Sequence, residues 1–323
     1  MKVLLIGGTG FLGTEIQKIL LAQDIDFQAT SRSPNPEEHF VTCNILDKES
    51  LRAAMEGCSH VIHSAGLVSH SPSDSELLWK IHVEGTQNVF DMALELDIKR
   101  IVYMSTSGTI AVSDDSKAIP NEESASPFEL LKDWPYYRTK YFAEEIALSF
   151  AKKGLEVISL NPSLLLGPND PNGASTNSIQ LFLDDKVPVA PCGGVGFVDV
   201  RDVAEISVKA LSEGLSGERY LLNSSNMSFL EFYQRIARLA DKAAPMMKMP
   251  NLTRKALTWF PKIKKIGLHL KKEDVELASY FWYVDSKKAI NSLNFKPRDS
   301  MDTLYDTVAS LQKKEEDFSW FSE

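Results

Sequence analysis

The sequence predicts an α/β protein: a doubly wound parallel sheet of the Rossmann kind, followed by a smaller, mostly helical C-terminal lobe that shapes a substrate cleft. Three observations carry the prediction. A glycine turn, Gly7-Gly8-Thr9-Gly10-Phe11-Leu12-Gly13, directly follows an apolar run; short apolar runs alternate with helical spacings through the first half; and that alternation breaks down after Asn161. At 323 residues the chain suits one large or two intimately joined domains with ample core. The pattern divides it into a sheet domain of 1–165 with 196–215 and a lobe of 166–195 with 216–323.

The elements follow in order. Lys2-Val3-Leu4-Leu5-Ile6 is a short apolar run, the signature of a strand buried on both faces. After the glycines, residues 14–22 place Ile16, Ile19 and Leu20 at helical spacing. The second strand is 26–30 and the third 40–44, with a helix beginning over 50–55. Residues 60–64 read as the fourth strand, running into Ala65-Gly66; 77–96 is a long helix with Ile81, Val89, Ala93 and Leu96 among its apolar positions. The fifth strand is Arg100-Ile101-Val102-Tyr103-Met104, the next helix spans 135–151, and the sixth strand is 155–160. Gly167-Pro168-Asn169-Asp170-Pro171-Asn172-Gly173 is a loop by composition. Residues 197–202, then 203–211, look like a return to the sheet domain.

Strand, glycine turn and helix in that order form the context that a dinucleotide fingerprint requires. Gly7 allows the tight turn, Gly10 lets the backbone approach a pyrophosphate, and Gly13 lets helix and strand pack closely. The helix N-terminus then offers free N–H groups and a positive dipole end to the phosphates. The second strand ends in Ser31-Arg32-Ser33. An acid here would grip the ribose 2′-hydroxyl of NAD, whereas a hydroxyl and an Arg suit the 2′-phosphate of NADP. The expected cofactor is NADP(H) rather than NAD(H).

Tyr136 and Lys140 stand four apart on one helix face, which implies proton chemistry beside the cofactor. A free Tyr, with a pKa of about 10, is a poor base at neutral pH; a Lys charge one turn away favours the phenolate. Tyr137 competes, but it lies three residues from Lys140.

Composition excludes other classes. The net charge of −9 and pI near 5.3 argue against a nucleic-acid partner. Cys43, Cys58 and Cys192 form no metal or redox spacing, and their odd number fits a reducing compartment. No signal peptide is expected before the first strand and no run approaches the roughly 18 apolar residues needed to span a bilayer, so the chain reads as cytoplasmic.

Taken together, the glycine spacing, His63-Ser64-Ala65-Gly66, the Ser-rich end of the fifth strand, the Tyr-Lys helix, Asn161-Pro162 with Gly167-Pro168, and Val200-Arg201-Asp202-Val203-Ala204 resemble the extended short-chain dehydrogenase/reductase family over nearly the whole chain. Within it the chain looks most like dihydroflavonol 4-reductase-type reductases and bacterial relatives named sugar epimerases; Ala29-Thr30-Ser31-Arg32-Ser33-Pro34 is similar to the NADP-binding stretch of the plant enzymes. The resemblance implies a catalytic set of Ser107, Tyr136 and Lys140. Ser107 would donate to the substrate oxygen, with Ser105 and Thr106 as competitors for that role, and Lys140 would also bond the nicotinamide ribose. It implies cofactor contacts from Gly7, Thr9, Gly10, Phe11, Leu12, Gly13, Ser31, Arg32, Asn44, Ile45, Ser64, Ala65, Gly66, Pro162 and Leu165 besides Tyr136 and Lys140. It also implies a homodimer through the helices at 77–96 and 135–151. There are departures: His82 stands where many relatives have Asn before Val-x-Gly-Thr, and Asn44 where an Asp commonly meets the adenine.

His60 and His63, three apart on a strand, face opposite sides, which argues against a metal; His63 is expected to pack near the cofactor. Between 254 and 272 lie seven Lys or Arg and no acid, with Leu257, Trp259, Phe260, Ile263 and Ile266 interleaved. This reads as a basic cap over the cleft or a solvated helix face, in preference to a membrane contact. Three functions remain: an NADP-dependent reductase of a ketone or aldehyde, a nucleotide-sugar epimerase or dehydratase that retains its cofactor, and a non-catalytic NADP sensor. The complete Ser-Tyr-Lys set weighs against the sensor. Ser107-Gly108 after Thr106, where sugar dehydratases carry Asp-Glu, weighs against the second.

Overall fold

The computed structural model describes residues 1–249 and 272–319; of the basic segment 254–272, all but Lys272 lies outside them. The strands are β1 (Lys2–Ile6), β2 (Asp26–Ser31), β3 (Phe40–Thr42), β4 (His60–His63), β5 (Arg100–Met104), β6 (Glu156–Pro162), β7 (Leu164–Leu166), β8 (Gly194–Asp199), β9 (Glu218–Leu222), β10 (Ser225–Ser228) and β11 (Phe281–Trp282). Seven of them form one sheet in the order β3-β2-β1-β4-β5-β6-β9, with every neighbouring pair parallel.

Strand periodicity of two explains why β1 reads as an unbroken apolar run. Val3 and Leu5 face one layer, built with α1 (Phe11–Ala22) and, later in the chain, the helix Val200–Lys209. Leu4 and Ile6 face the other, built with α2 (Lys48–Met55) and with helices from 75–95 and 135–151. All four side chains are fully buried, each contributing roughly 1.5–3 kcal/mol relative to exposure. The strand order reverses between β1 and β4, so the crevice at the carboxyl ends of these strands is where the fold accepts a ligand.

The long helix predicted over 77–96 is interrupted. It comprises α3 (Ser75–Trp79), a π-helical turn at Lys80–Glu84, and α4 (Gly85–Glu95). Apolar spacing marks the buried face but not the hydrogen-bond step, so a π turn inside the helix leaves little trace in sequence. The next helices are α5 (Phe128–Leu131), α6 (Pro135–Ala151), α7 (Asn177–Leu183), α8 (Val200–Lys209) and α9 (Phe229–Ala240).

The return to the main sheet is displaced from its predicted place. β8 does not join that sheet but pairs with β7, β10 and β11 in a second, four-stranded one, while β9 supplies the seventh main strand. The helix after β8 does pack back on the sheet domain, against α1. Buried strands of either sheet carry the same apolar pattern, which is why the sequence does not say which sheet a strand joins. Among the described residues no helix is long and apolar enough to cross a membrane.

Candidate active site

The glycine turn is built as its spacing implies. Gly7 has φ +96°, and a Cβ there would lie 2.7 Å from the Ala65 nitrogen; a Cβ on Gly13 would lie 2.1 Å from the Gly7 carbonyl. Only glycine permits the turn at the first position and the close helix approach at the second. Gly10 is the N-cap of α1, with no side-chain cap bond and no acid in the first turn. The first N–H groups of the helix are therefore left to an outside acceptor. Gln17 steadies the turn by donating from Nε2 to the Gly8 carbonyl at 2.8 Å, and Thr30 Oγ1 accepts from the Gly7 N–H at 3.2 Å. Thr9 is exposed, Phe11 half-buried and Leu12 part of the core.

Around the cradle, the Ser31 hydroxyl is buried and donates to the Ser33 carbonyl, while Arg32 is exposed and makes no ion pair with any described residue. Asn44 is exposed, its Oδ1 accepting from the Leu46 N–H at 3.1 Å, and Ile45 packs on Gly85. Ser64 donates to the Ile6 carbonyl at 2.9 Å, which fixes the Ser64-Ala65-Gly66 loop beside Gly7. Pro162 ends β6 and Leu165 packs against the core from β7. The uncapped helix end and the glycine surface together fit the pyrophosphate of a dinucleotide.

The chemistry-bearing residues sit at the carboxyl end of β5 and on α6. Ser107 is buried at the start of a tight 3-10 turn, Ser107–Thr109. Asn161 holds that turn by donating from Nδ2 to the Thr106 carbonyl at 3.1 Å and to the buried Glu144 carboxylate at 2.7 Å. Of the three hydroxyls that compete for the substrate oxygen, Thr106 Oγ1 accepts from the Gly108 N–H. Ser105 Oγ is buried with no hydrogen-bond partner among the described residues.

Tyr136 is half-buried between aromatic rings, its centroid 5.6 Å from His82, 6.1 Å from His70 and 5.0 Å from Tyr137. Burial pushes its pKa up to about 12. Lys140, one turn on, directs Nζ to the Met104 carbonyl at 2.6 Å and the Tyr103 hydroxyl at 3.3 Å. Burial pushes Lys140 down to about 8, with the Glu144 carboxylate opposing. Burial therefore acts on Tyr136 toward the protonated phenol, in the direction opposite to that expected of a Lys charge one turn away. Tyr137 packs among aromatic rings. Its ring stacks on Trp282 at 4.6 Å and on His70 at 6.2 Å, and a Cβ on Gly108 would strike it. His63 is buried, Nε2 lying 3.2 Å from Thr86 Oγ1, and burial with the Lys140 charge pushes its pKa down to about 3. Among the described residues no group of acids, His and Cys could hold a metal.

Sequence reasoning missed the aromatic wall of Tyr137, Trp282, Trp134 and His70, and the 3.3 Å contact from His70 Nδ1 to Asp274 across the cleft. Trp134 and Tyr137 are neighbours in sequence, but His70 and the stretch that carries Asp274 and Trp282 lie far from them, and no local spacing connects the three.

Comparison with known proteins agrees with this geometry. A family described as the NAD dependent epimerase/dehydratase family matches residues 3–222. A Synechocystis protein named "Putative dihydroflavonol 4-reductase" is 29% identical over 321 residues, covering 95% of this chain and 93% of its own. Cinnamoyl-CoA reductase 1 of Oryza sativa is 30% identical over 277 residues, 76% of this chain and 81% of that protein. The solved UDP-glucose 4-epimerase of Thermus thermophilus in complex with NAD has the same fold, with a TM-score of 0.73 at 20% identity over 97% of this chain and 99% of that one.

Proposed function

The chain belongs to the NAD dependent epimerase/dehydratase family, and from that premise we propose that it is an NADP-dependent reductase of a small ketone or aldehyde. When bound, the nicotinamide would supply hydride to the carbonyl carbon, and Tyr136 would give its proton to the carbonyl oxygen. Ser107 donates a hydrogen bond to the same oxygen, and Lys140 holds the nicotinamide ribose. The observation that carries the reading is the placement of the buried Ser107 turn at the carboxyl end of β5 against α6, the helix that bears Tyr136 and Lys140; burial raises the Tyr136 pKa, which favours the protonated phenol that a proton donor needs. The reductases among its curated relatives support the direction of the reaction. The second sheet and the helices around it form the substrate side of the cleft. There the Tyr137–Trp282 stack beside Tyr136 suits a flat, unsaturated carbonyl compound. The odd number of cysteines, Cys43, Cys58 and Cys192, suits a reducing compartment and so a place in the cytoplasm.

The test is direct. The pure protein, given NADPH and a panel of aromatic and aliphatic carbonyls, is expected to oxidise NADPH with at least one of them. Interconversion of a nucleotide sugar without net NADPH consumption would instead establish the epimerase reading.

NADPH is expected to bind at least about tenfold tighter than NADH, a difference of about 1.4 kcal/mol that one charge-assisted contact from Arg32 can supply. Titration by cofactor fluorescence measures it, and Arg32→Ala should erase the difference. Equal affinities in the natural protein would remove the NADP assignment.

Homodimer formation is the fourth element of the reading. Leu77, Trp79 and Leu94 leave α3 and α4 with 48%, 39% and 40% of their surface exposed, and Trp79 meets Phe142 of α6 edge-on. Covering that face against a second copy gives a four-helix contact. Light scattering at micromolar concentration should show twice the 36.0 kDa chain mass; a species of the single-chain mass alone would count against it.

A further inference from the structure

His82 occupies the π-helical turn between α3 and α4, and it is almost fully buried. Its ring lies between two pieces of the site that are otherwise separate. The Leu67 N–H donates to His82 Nε2 at 3.1 Å, from the loop that continues Ser64-Ala65-Gly66. On the other side, His82 Nδ1 lies 2.9 Å from Thr139 Oγ1, inside the helical turn bounded by Tyr136 and Lys140. The ring also meets the Tyr136 ring edge-on at 5.6 Å.

We propose that His82 is a positioning residue that locks the cofactor loop to the catalytic turn of α6 through two hydrogen bonds of fixed direction. An amide N–H can only donate, so His82 Nε2 must carry a lone pair, and in a neutral ring the proton then sits on Nδ1. Nδ1–H donates to Thr139 Oγ1, and Thr139 donates its own proton to the carbonyl of Pro135 at 2.8 Å or of Tyr136 at 2.9 Å. The chain of bonds runs one way, from Leu67 through His82 and Thr139 to the backbone that bears Tyr136. A charged ring would place a second N–H against the Leu67 amide. Burial, with the Lys140 charge, pushes the pKa down to about 3 and keeps the ring neutral. His82 therefore moves no proton. It sets where the Tyr136 hydroxyl and the Lys140 ammonium stand relative to the cofactor loop. A π-helical turn at a functional position is a recurrent device for aiming one side chain off the regular helical register.

The inference rests on the proposed roles of Tyr136 and Lys140 only for its turnover arm. The cofactor-affinity arm is read by NADPH fluorescence and needs no substrate, and it is repeated in a Tyr136→Phe background. His82→Phe keeps a ring but neither hydrogen bond. It is expected to weaken NADPH binding and to lower kcat by about tenfold each, the effect of leaving a buried donor unpaired. His82→Gln restores one acceptor and one donor and is expected to recover most of both. Thr139→Val should lower kcat, with Thr139→Ser recovering it. NADPH affinity and kcat of His82→Phe within about twofold of the natural protein would overturn the proposal, as would a Gln variant no better than Phe. Should His82→Phe fail to fold, the Thr139 pair decides: equal kcat for Val and Ser would overturn it. If Tyr136→Phe turns over normally while His82→Phe still loses NADPH affinity and Gln restores it, the proton-donor assignment fails and the positioning role stands.

Discussion

Tyr136→Phe is expected to lower carbonyl reduction by about two to four powers of ten, the usual contribution of a positioned acid. Only a hydroxyl is lost, and that hydroxyl bonds no described residue, so folding and NADPH binding should persist. Tyr137→Phe should keep most turnover, because the contacts of Tyr137 with Trp282, Trp134 and His70 are made by its ring. Ser107→Ala should lose catalysis with cofactor affinity retained, since the proposed partner of Ser107 is the substrate oxygen. Steady-state rates and cofactor titrations on the three variants check this. A Tyr136→Phe enzyme with near-normal turnover would mean a different proton donor.

Lys140→Met is expected to damage both cofactor affinity and turnover, together by roughly a hundredfold in kcat/KM, since two charge-assisted contacts are lost at about tenfold each. Met keeps an apolar stem of similar length and removes the ammonium, which lies over the Tyr103 ring at 4.9 Å. The pH dependence has a definite sign. Burial lowers the Lys140 pKa to about 8, so the ammonium is present below that pH and is lost as pH rises through it. NADPH affinity of the natural protein should therefore fall above pH 8, and that step should be absent in Lys140→Met. Tyr136, raised to about 12, adds no titration to the reductive rate in the same range. Affinity independent of pH from 7 to 9 in the natural protein would contradict the role given to Lys140.

The parts of the fold legible in the sequence are those fixed by neighbours in the chain. β1, the glycine turn and α1 are contiguous, and the positive φ of Gly7 and the crowding at Gly13 act within that stretch. β7 and β11, of three and two residues, are too short to show a period, so the second sheet was not foreseen. The same limit applies at the site. His82 stands out in sequence as a departure from Asn, but its partners Leu67 and Thr139 lie 15 and 57 residues away. The spacing of Tyr136 to Lys140 is local and legible in the sequence, whereas the burial that raises the Tyr136 pKa is a property of the assembled site. Ser105, Thr106 and Ser107 are adjacent hydroxyls in sequence. Only the turn after β5 separates the one that accepts from Gly108 from the buried one that has no hydrogen-bond partner among the described residues.

The central claim is net hydride transfer to a carbonyl, and isotope transfer tests it most directly. The natural protein is incubated with a carbonyl substrate from the panel and NADPH carrying deuterium at the transferring position of the nicotinamide. The account predicts an alcohol with deuterium on the former carbonyl carbon, one equivalent of NADP formed for each alcohol, and loss of both in Tyr136→Phe. Product free of deuterium, or turnover of substrate with no NADPH consumed, would contradict it.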